Sequence, residues 1–158
     1  MTISDAVPHN WPSQHAAPAG EEDTALERLL SVEISSVDFA IGPEVSPLEA
    51  MERAGAMVAL SLPLFLEGTP GAEETCAAAQ AVLTELVDVT ARNKAGLDLV
   101  GRVAFDGAHV TVSVGDMGCP LPAPETEPGL YLVHRVAVEV GQYAGNMGGR
   151  VTWAAVAA

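Results

Sequence analysis

The stretch "LDLVGRVAFDGAHVTVSV", residues 97–114, has the strongest structural pattern in this sequence. Its apolar residues recur at every second position, which is the spacing of β-strands. Asp106-Gly107 separates two such runs, and this dipeptide strongly favours a tight hairpin turn. The sequence therefore predicts two antiparallel strands. On the second strand, three valines fall on one face and three polar residues on the other: Val110, Val112 and Val114 against His109, Thr111 and Ser113.

Upstream of the hairpin, the apolar spacing is that of helices. Ser46 before Pro47 is a helix-opening pair, and Glu49 completes a capping box. Pro63 lacks an N–H group and is expected to end or kink this first helix. A second helix is predicted within residues 70–96, where Ala, Leu, Glu and Gln dominate and acidic residues stand in the first turn.

Downstream of the hairpin, a loop rich in proline and acidic residues leads to a predicted helix over residues 129–141. A last strand is predicted within residues 148–158, and a further strand near Val37 and Phe39 is expected to precede the first helix. The expected order is strand, helix, helix, hairpin, loop, helix, strand. This order predicts an α/β (α+β) two-layer sandwich, in which helices cover one face of a mixed, mostly antiparallel sheet.

The chain of 158 residues is long enough for one domain with a real core. Residues 1–23 have no sustained apolar period, so we expect a flexible tail there and a domain over residues 24–158. The tail has neither a basic nor an apolar region typical of a secretion signal. The longest uncharged apolar run, residues 54–66, is too short to span a bilayer.

The net charge and the cysteine content exclude some kinds of partner and site. A formal net charge of −14 argues against binding to nucleic acid or to anionic membranes, because both require a cationic surface, and favours a basic protein partner. The two cysteines, Cys76 and Cys119, are too few for a disulfide framework and lack the spacing of a metal site. We therefore expect a cytoplasmic protein with unpaired thiols.

Four blocks in a common order resemble a known family. They are "LTELVDVTARN" (83–93), "VSVGDMG" (112–118), "EPGLYLVHRVAVEVG" (127–141) and "GGRVTWAAV" (148–156). Together they are similar to the histidine-kinase-like ATPase domain of the GHKL superfamily. More narrowly, they resemble the small anti-sigma-factor serine kinases of partner-switching systems in actinobacteria. The resemblance covers roughly residues 30–158 and implies a nucleotide pocket between a helix, the strand-ending loop and the next helix.

The first family motif is only half present. The resemblance implies a helix that carries Glu and, four residues later, Asn, of which the Asn helps to hold Mg²⁺ and the Glu acts on the attacking group. Glu85 matches the acid, but Val89 stands at the Asn position and has no oxygen to offer a metal. Asp88 is rotated by about 100° around the helix and is expected to point elsewhere. Asn93 lies one turn too far along.

The other two motifs are also altered. Asp116 and Gly118 match the family's adenine-binding Asp-x-Gly, although a simple strand-ending turn would use the same residues. Gly129 and Leu130 match the second half of a Gly-x-Gly-Leu that binds phosphate at a helix N-terminus. The first glycine is replaced by Glu127. Pro128 removes an N–H donor, and no lysine or arginine lies between Asp116 and Arg135.

Two functions remain open from the sequence. In the first, the protein is a regulatory protein with a degenerate ATP site that binds a sigma factor, an anti-sigma antagonist, another regulator or a second copy of itself. In the second, it is an active ATP-dependent serine protein kinase that uses Mg²⁺ and has Glu85 as its base. A third alternative keeps adenine binding through Asp116 without hydrolysis. His134 and His109 are expected at the surface, and Trp153 is expected to pack rather than stack on a ligand.

Overall fold

A five-stranded sheet with three helices on one face forms the described part of the chain, residues 35–158 except Leu97 and Met147, in a computed structural model. The predicted tail and the apolar stretch at residues 26–30 lie outside the described residues. The elements are β1 (Ser35–Ile41), α1 (Pro47–Phe65), α2 (Ala72–Arg92), β2 (Leu99–Phe105), β3 (His109–Met117), α3 (Gly129–Val136), β4 (Glu139–Ala144) and β5 (Arg150–Ala157).

The sheet has the strand order β1-β2-β3-β5-β4, and every neighbouring pair of strands is antiparallel. The α+β class and the two-layer arrangement of helices on a sheet are therefore confirmed. The chain crosses from β3 to the far edge of the sheet through α3 and returns through β5. This crossover brings the start of α3 next to the C-terminal half of α2, where the candidate site lies.

The first helix begins as its sequence predicts. The Ser46 hydroxyl accepts a hydrogen bond from the Glu49 N–H at 3.3 Å, and Pro47 occupies the first turn. Four residues spaced by four bury one face of the helix: Ala50, Ala54, Val58 and Leu62. The helix continues for two residues past Pro63 and ends at Phe65, because a proline near the end of a helix removes one backbone hydrogen bond without stopping the last turn.

The predicted hairpin is confirmed. Phe105 pairs with Val110, and the connecting turn is closed by the Asp106 carboxylate, which accepts hydrogen bonds from the N–H groups of Ala108 at 2.8 Å and His109 at 2.7 Å. Gly107 has a φ of +94°, which favours glycine at this position. The valines of β3 pack in the core with the buried residues of α2, as the alternation predicts.

The third helix is shorter than predicted, and a strand follows it. The helix ends at Val136 rather than at Gly141, Ala137 is already extended, and β4 occupies Glu139–Ala144. Alternating β-branched residues from Val136 to Val140 suit a strand at an edge of the sheet better than a helix. Gly141, interpreted as a helix stop, lies inside β4 opposite Trp153.

Candidate functional site

A shallow cavity of about 220 Å³ lies between the second half of α2 and the turn that opens α3. It is smaller than the roughly 300–1,000 Å³ of typical small-molecule pockets. Its lining contains four of the six residues expected in the pocket from the family resemblance, Glu85, Val89, Gly129 and Leu130. Asp88, Arg92, Glu127 and Pro128 complete the lining.

On the α2 side of the cavity, the residue at the position expected to bind a metal cannot do so. Val89 is 2% exposed and contributes only methyl groups, and Asn93 donates its side-chain amide to the Val89 carbonyl at 2.8 Å. Asp88 borders the cavity, so the expectation that it points elsewhere is wrong. The cavity extends far enough around α2 to include Asp88 as well as Glu85 and Val89. Within the described residues, no cluster of three or more His, Cys, Asp or Glu side chains could hold a metal ion.

An internal ion pair closes one side of the cavity. Two nitrogens of the Arg92 guanidinium donate to the two carboxylate oxygens of Glu127, each at 2.8 Å. The same guanidinium donates to Asp88 at 2.8 and 3.1 Å. The hydrogen bond from Arg92 lowers the pKa of Glu127, and those from Glu127 and Asp88 raise the pKa of Arg92, so both groups are charged near neutral pH.

Sequence reasoning missed this pair. Asp88 and Arg92 are four residues apart on a helix, so their contact could have been predicted from the sequence. Glu127 lies 35 residues from Arg92 along the chain, and only the packing of α3 against α2 brings the two together. Glu127, which replaces the first glycine of the family motif, is therefore paired with a cation of the same chain.

The side chain of Glu85, on α2, contacts the beginning of α3. A Cβ atom added to Gly129 would overlap the Glu85 carboxylate, so this carboxylate rests directly against the Gly129 backbone. The N–H groups that follow are already engaged: Leu130 donates to the Glu127 carbonyl at 2.9 Å and Tyr131 to the Pro128 carbonyl at 3.1 Å. The positive end of α3, where the family resemblance places a phosphate, thus faces a carboxylate of the protein itself.

Asp116 and Gly118 are not brought into this cavity. Asp116 is 8% exposed, and its carboxylate lies against Gly145 and Gly149 of the turn between β4 and β5. Its Oδ1 atom is buried and has no hydrogen-bond partner. Gly118 donates its N–H to the Asn93 carbonyl at 2.8 Å. The expected adenine position and the expected phosphate position are therefore separate in this structure.

The structure also places three other side chains for which the sequence led to an expectation: His134, Cys76 and Cys119. His134, expected at the surface of α3, is 8% exposed, and burial lowers the pKa of its imidazole. Cys76 and Cys119 are both free thiols, as expected. Burial in the helical layer raises the pKa of Cys76.

No protein-family model and no curated protein matches this sequence. Among the described residues, the helices are all too short or too polar to cross a membrane.

Proposed function

We propose that this chain is a regulatory protein that acts by binding another protein, on a scaffold of the histidine-kinase-like ATPase type whose ATP site is degenerate. The observation that supports the proposal is that the chain's own charged groups occupy the cavity where the family resemblance would put a phosphate. Glu85 rests against Gly129, and Arg92 is paired with Glu127 across the same cavity.

ATP with Mg²⁺ does not fit these residues. Three carboxylates surround the cavity, from Glu85, Asp88 and Glu127, against one guanidinium that is already paired with two of them. Two like charges about 4 Å apart repel by roughly 1 kcal/mol in water, and more strongly in a partly closed cavity. A triphosphate would have to displace the ion pair, and Val89 offers its metal no ligand. No phosphoryl-transfer step is therefore assigned to Glu85.

The third alternative, adenine binding through Asp116, has one observation in its favour. The buried Asp116 Oδ1 has no hydrogen-bond partner, and a buried polar atom without a partner is costly. An amino group of a base could supply the missing bond. However, the Asp116 carboxylate packs closely against Gly145 and Gly149 of the β4–β5 turn, so a base could reach it only if that turn moved.

The surface supports a protein partner. Leu60 and Leu64 are one helical turn apart on α1, are 78% and 70% exposed, and belong to the uncharged stretch of residues 54–66. Exposed apolar side chains on one helix face are typical of docking sites. Because the chain carries a net charge of −14, the partner we infer presents basic residues around an apolar contact. A sigma factor or an anti-sigma antagonist is the partner class that the family resemblance suggests.

Capture from native cell extract tests this function. The full-length protein is compared with a Leu60→Asp/Leu64→Asp variant and with a matched control, Leu48→Asp, which alters an exposed leucine elsewhere on α1. We expect the wild type and the control to retain the same transcription regulator, identified by mass spectrometry, and the double variant to lose it. Retention should also fall as salt is raised, because charge attraction is screened. Equal capture by all three proteins, unaffected by salt, would contradict the proposal.

A further inference from the structure

The second half of α1 is apolar on both of its faces. Ala54, Val58 and Leu62 are buried in the core, yet every residue that is exposed between positions 54 and 65 is apolar as well. These exposed residues recur at the i, i+3, i+4, i+7 and i+8 positions of one helix face, which we call the apolar stripe: Ala56, Ala59, Leu60, Pro63 and Leu64. A helix that is apolar all round is normally buried on all sides, so the apolar stripe is a face without a partner among the described residues.

Acidic residues lie at both ends of the apolar stripe. At its beginning, the ion pair between Glu49 and Arg53 leaves Glu52 as net negative charge. Past its end, three exposed acids stand in the connection to α2 and in the first turn of that helix: Glu67, Glu73 and Glu74. Residues 54–91 contain neither lysine nor arginine. The apolar stripe is therefore an apolar surface with excess negative charge at each end.

We propose that the apolar stripe binds an amphipathic helix of the partner protein, with apolar residues at i, i+3 or i+4, and i+7 and with basic residues toward both ends. The inference rests on the proposed function, because it names the kind of segment by which the regulated partner docks. The apolar stripe runs from Ala56 to Leu64, which is about 12 Å at a rise of 1.5 Å per residue. A partner helix of about three or four turns covers this length, and its terminal basic side chains reach the acids at each end.

A helix fits this surface better than an extended strand does. Strand addition requires free backbone N–H and C=O groups at a sheet edge, whereas most backbone groups of α1 are bonded within the helix. Ala56, Leu60 and Leu64 form a ridge along α1, and helices pack by placing such ridges into the grooves of a neighbouring helix. The small side chain of Ala59 beside this ridge leaves room for a larger apolar side chain of the partner.

A second copy of this chain suits the apolar stripe less well than a basic helix. Two copies packed through their stripes would place acidic ends against acidic ends in either relative direction, because both ends carry excess negative charge. Each chain also has a net charge of −14, and the repulsion between two such chains opposes self-association. The basic residues of a partner helix would instead meet opposite charge at both ends.

Fluorescence anisotropy of labelled peptides with the full-length protein tests this occupant. The probe is a helix-forming peptide of about 18 residues, with leucines at i, i+3, i+4 and i+7 and lysines at both ends. One control peptide has the same composition in an order that breaks the helical spacing, and the other has glutamates in place of the lysines. We expect the protein to bind the probe at least about tenfold more tightly than either control peptide, with an affinity that falls as salt is raised.

Matched protein variants assign the binding to the apolar stripe. Leu60→Asp/Leu64→Asp should weaken binding of the probe by about tenfold or more, because both leucines lie at the centre of the contact. Tyr131→Asp/Val138→Asp adds the same charge at two exposed apolar positions away from α1 and should not weaken it. Thermal unfolding checks that the variants remain folded.

A charge variant tests the ends of the apolar stripe separately. Glu52→Lys/Glu67→Lys keeps the stripe, reverses charge at both ends and should weaken binding of the probe several-fold. Equal binding of the probe and the control peptides, or of the probe to wild type and to Leu60→Asp/Leu64→Asp, would overturn the proposal. A wild-type dimer at micromolar concentration that Leu60→Asp/Leu64→Asp dissociates would overturn it too and assign the stripe to a second copy. If the probe fails but this double variant still loses the regulator from cell extract, the proposed function stands and only the helical form of the partner is wrong.

Discussion

At the scale of single residues, Arg92 and Glu127 distinguish this cavity from the one that the family resemblance implies. The sequence shows an acid where a glycine is expected and suggests only repulsion of phosphate. In the structure, that acid is one half of a bidentate ion pair that ties the start of α3 to the end of α2. A guanidinium and a carboxylate in this geometry satisfy each other and leave little charge free to attract a ligand.

The pair should make a pH-dependent contribution to stability. The pKa of Glu127 is lowered in the folded protein by the Arg92 hydrogen bond, so the contribution is present above the usual carboxyl pKa and is lost as pH falls through the lowered value. We expect Glu127→Gln to reduce the free energy of unfolding by up to about 1 kcal/mol near neutrality, because the pair is partly exposed. The difference from wild type should shrink to zero with falling pH.

Urea unfolding at a series of pH values, as far as both proteins remain folded, measures this difference. Glu125→Gln is the matched control, since it removes the same charge from an exposed position in the same loop. The control should stay within about 0.5 kcal/mol of wild type. A loss for Glu127→Gln that is no greater than the control's, or that grows as pH falls, would show that the ion pair contributes nothing to stability.

At the scale of elements, β4 positions the loop that leads into α3. Gln142 on this strand is buried, and its side-chain carbonyl accepts a hydrogen bond from the Leu121 N–H at 3.1 Å. Its amide donates to the Thr152 hydroxyl of β5, also at 3.1 Å. One side chain therefore joins the loop between β3 and α3 to two strands of the sheet, and so fixes one boundary of the cavity indirectly.

Replacing the Gln142 side chain should reduce the free energy of unfolding. Gln142→Leu leaves the Leu121 N–H without its partner, and a buried unsatisfied donor costs about 1–3 kcal/mol. We expect a loss of that size in the free energy of unfolding in urea, together with faster hydrogen exchange at the Leu121 amide. Gln80→Leu makes the same chemical change at a half-buried position on α2 and should cost less than about 0.5 kcal/mol. Equal losses in the two variants would mean that the Gln142 bonds do not hold the loop.

The elements also show where prediction from sequence succeeds. The hairpin, the Ser46 cap and the long second helix each have a strong local pattern, and the structure has all three. The strand β4 was missed because Val136, Val138 and Val140, at and before its start, satisfy both a helical and an alternating spacing over so short a stretch. The pairing with β5 decides between the two, and that contact is not local.

At the scale of the whole molecule, the sheet is the organising feature. Its helix-facing side was predicted from the alternation of valines, and the same alternation placed Thr111 and Ser113 on the other side. The burial of that other side was not predictable, because polar residues on alternate positions normally indicate a solvated face. The candidate cavity was predictable for Glu85, Val89, Gly129 and Leu130. The pairing of Arg92 with Glu127 was not, because the two are 35 residues apart along the chain, and neither was the position of Asp116 outside the cavity.

We propose that the chain's own charged groups occupy the place where the family resemblance would put a nucleotide phosphate. Titration calorimetry of the full-length protein with ATP and Mg²⁺ tests it most directly, with a Val89→Asn/Glu127→Gly variant for comparison. This variant restores a metal-binding amide, removes one carboxylate and leaves Arg92 paired with Asp88 alone. We predict no measurable binding by the wild type and a gain in affinity for the variant; the absence of a gain would mean that the family motifs are misplaced on this chain. A dissociation constant in the low micromolar range for the wild type would show that the ion pair and Glu85 do not keep a nucleotide out of the cavity.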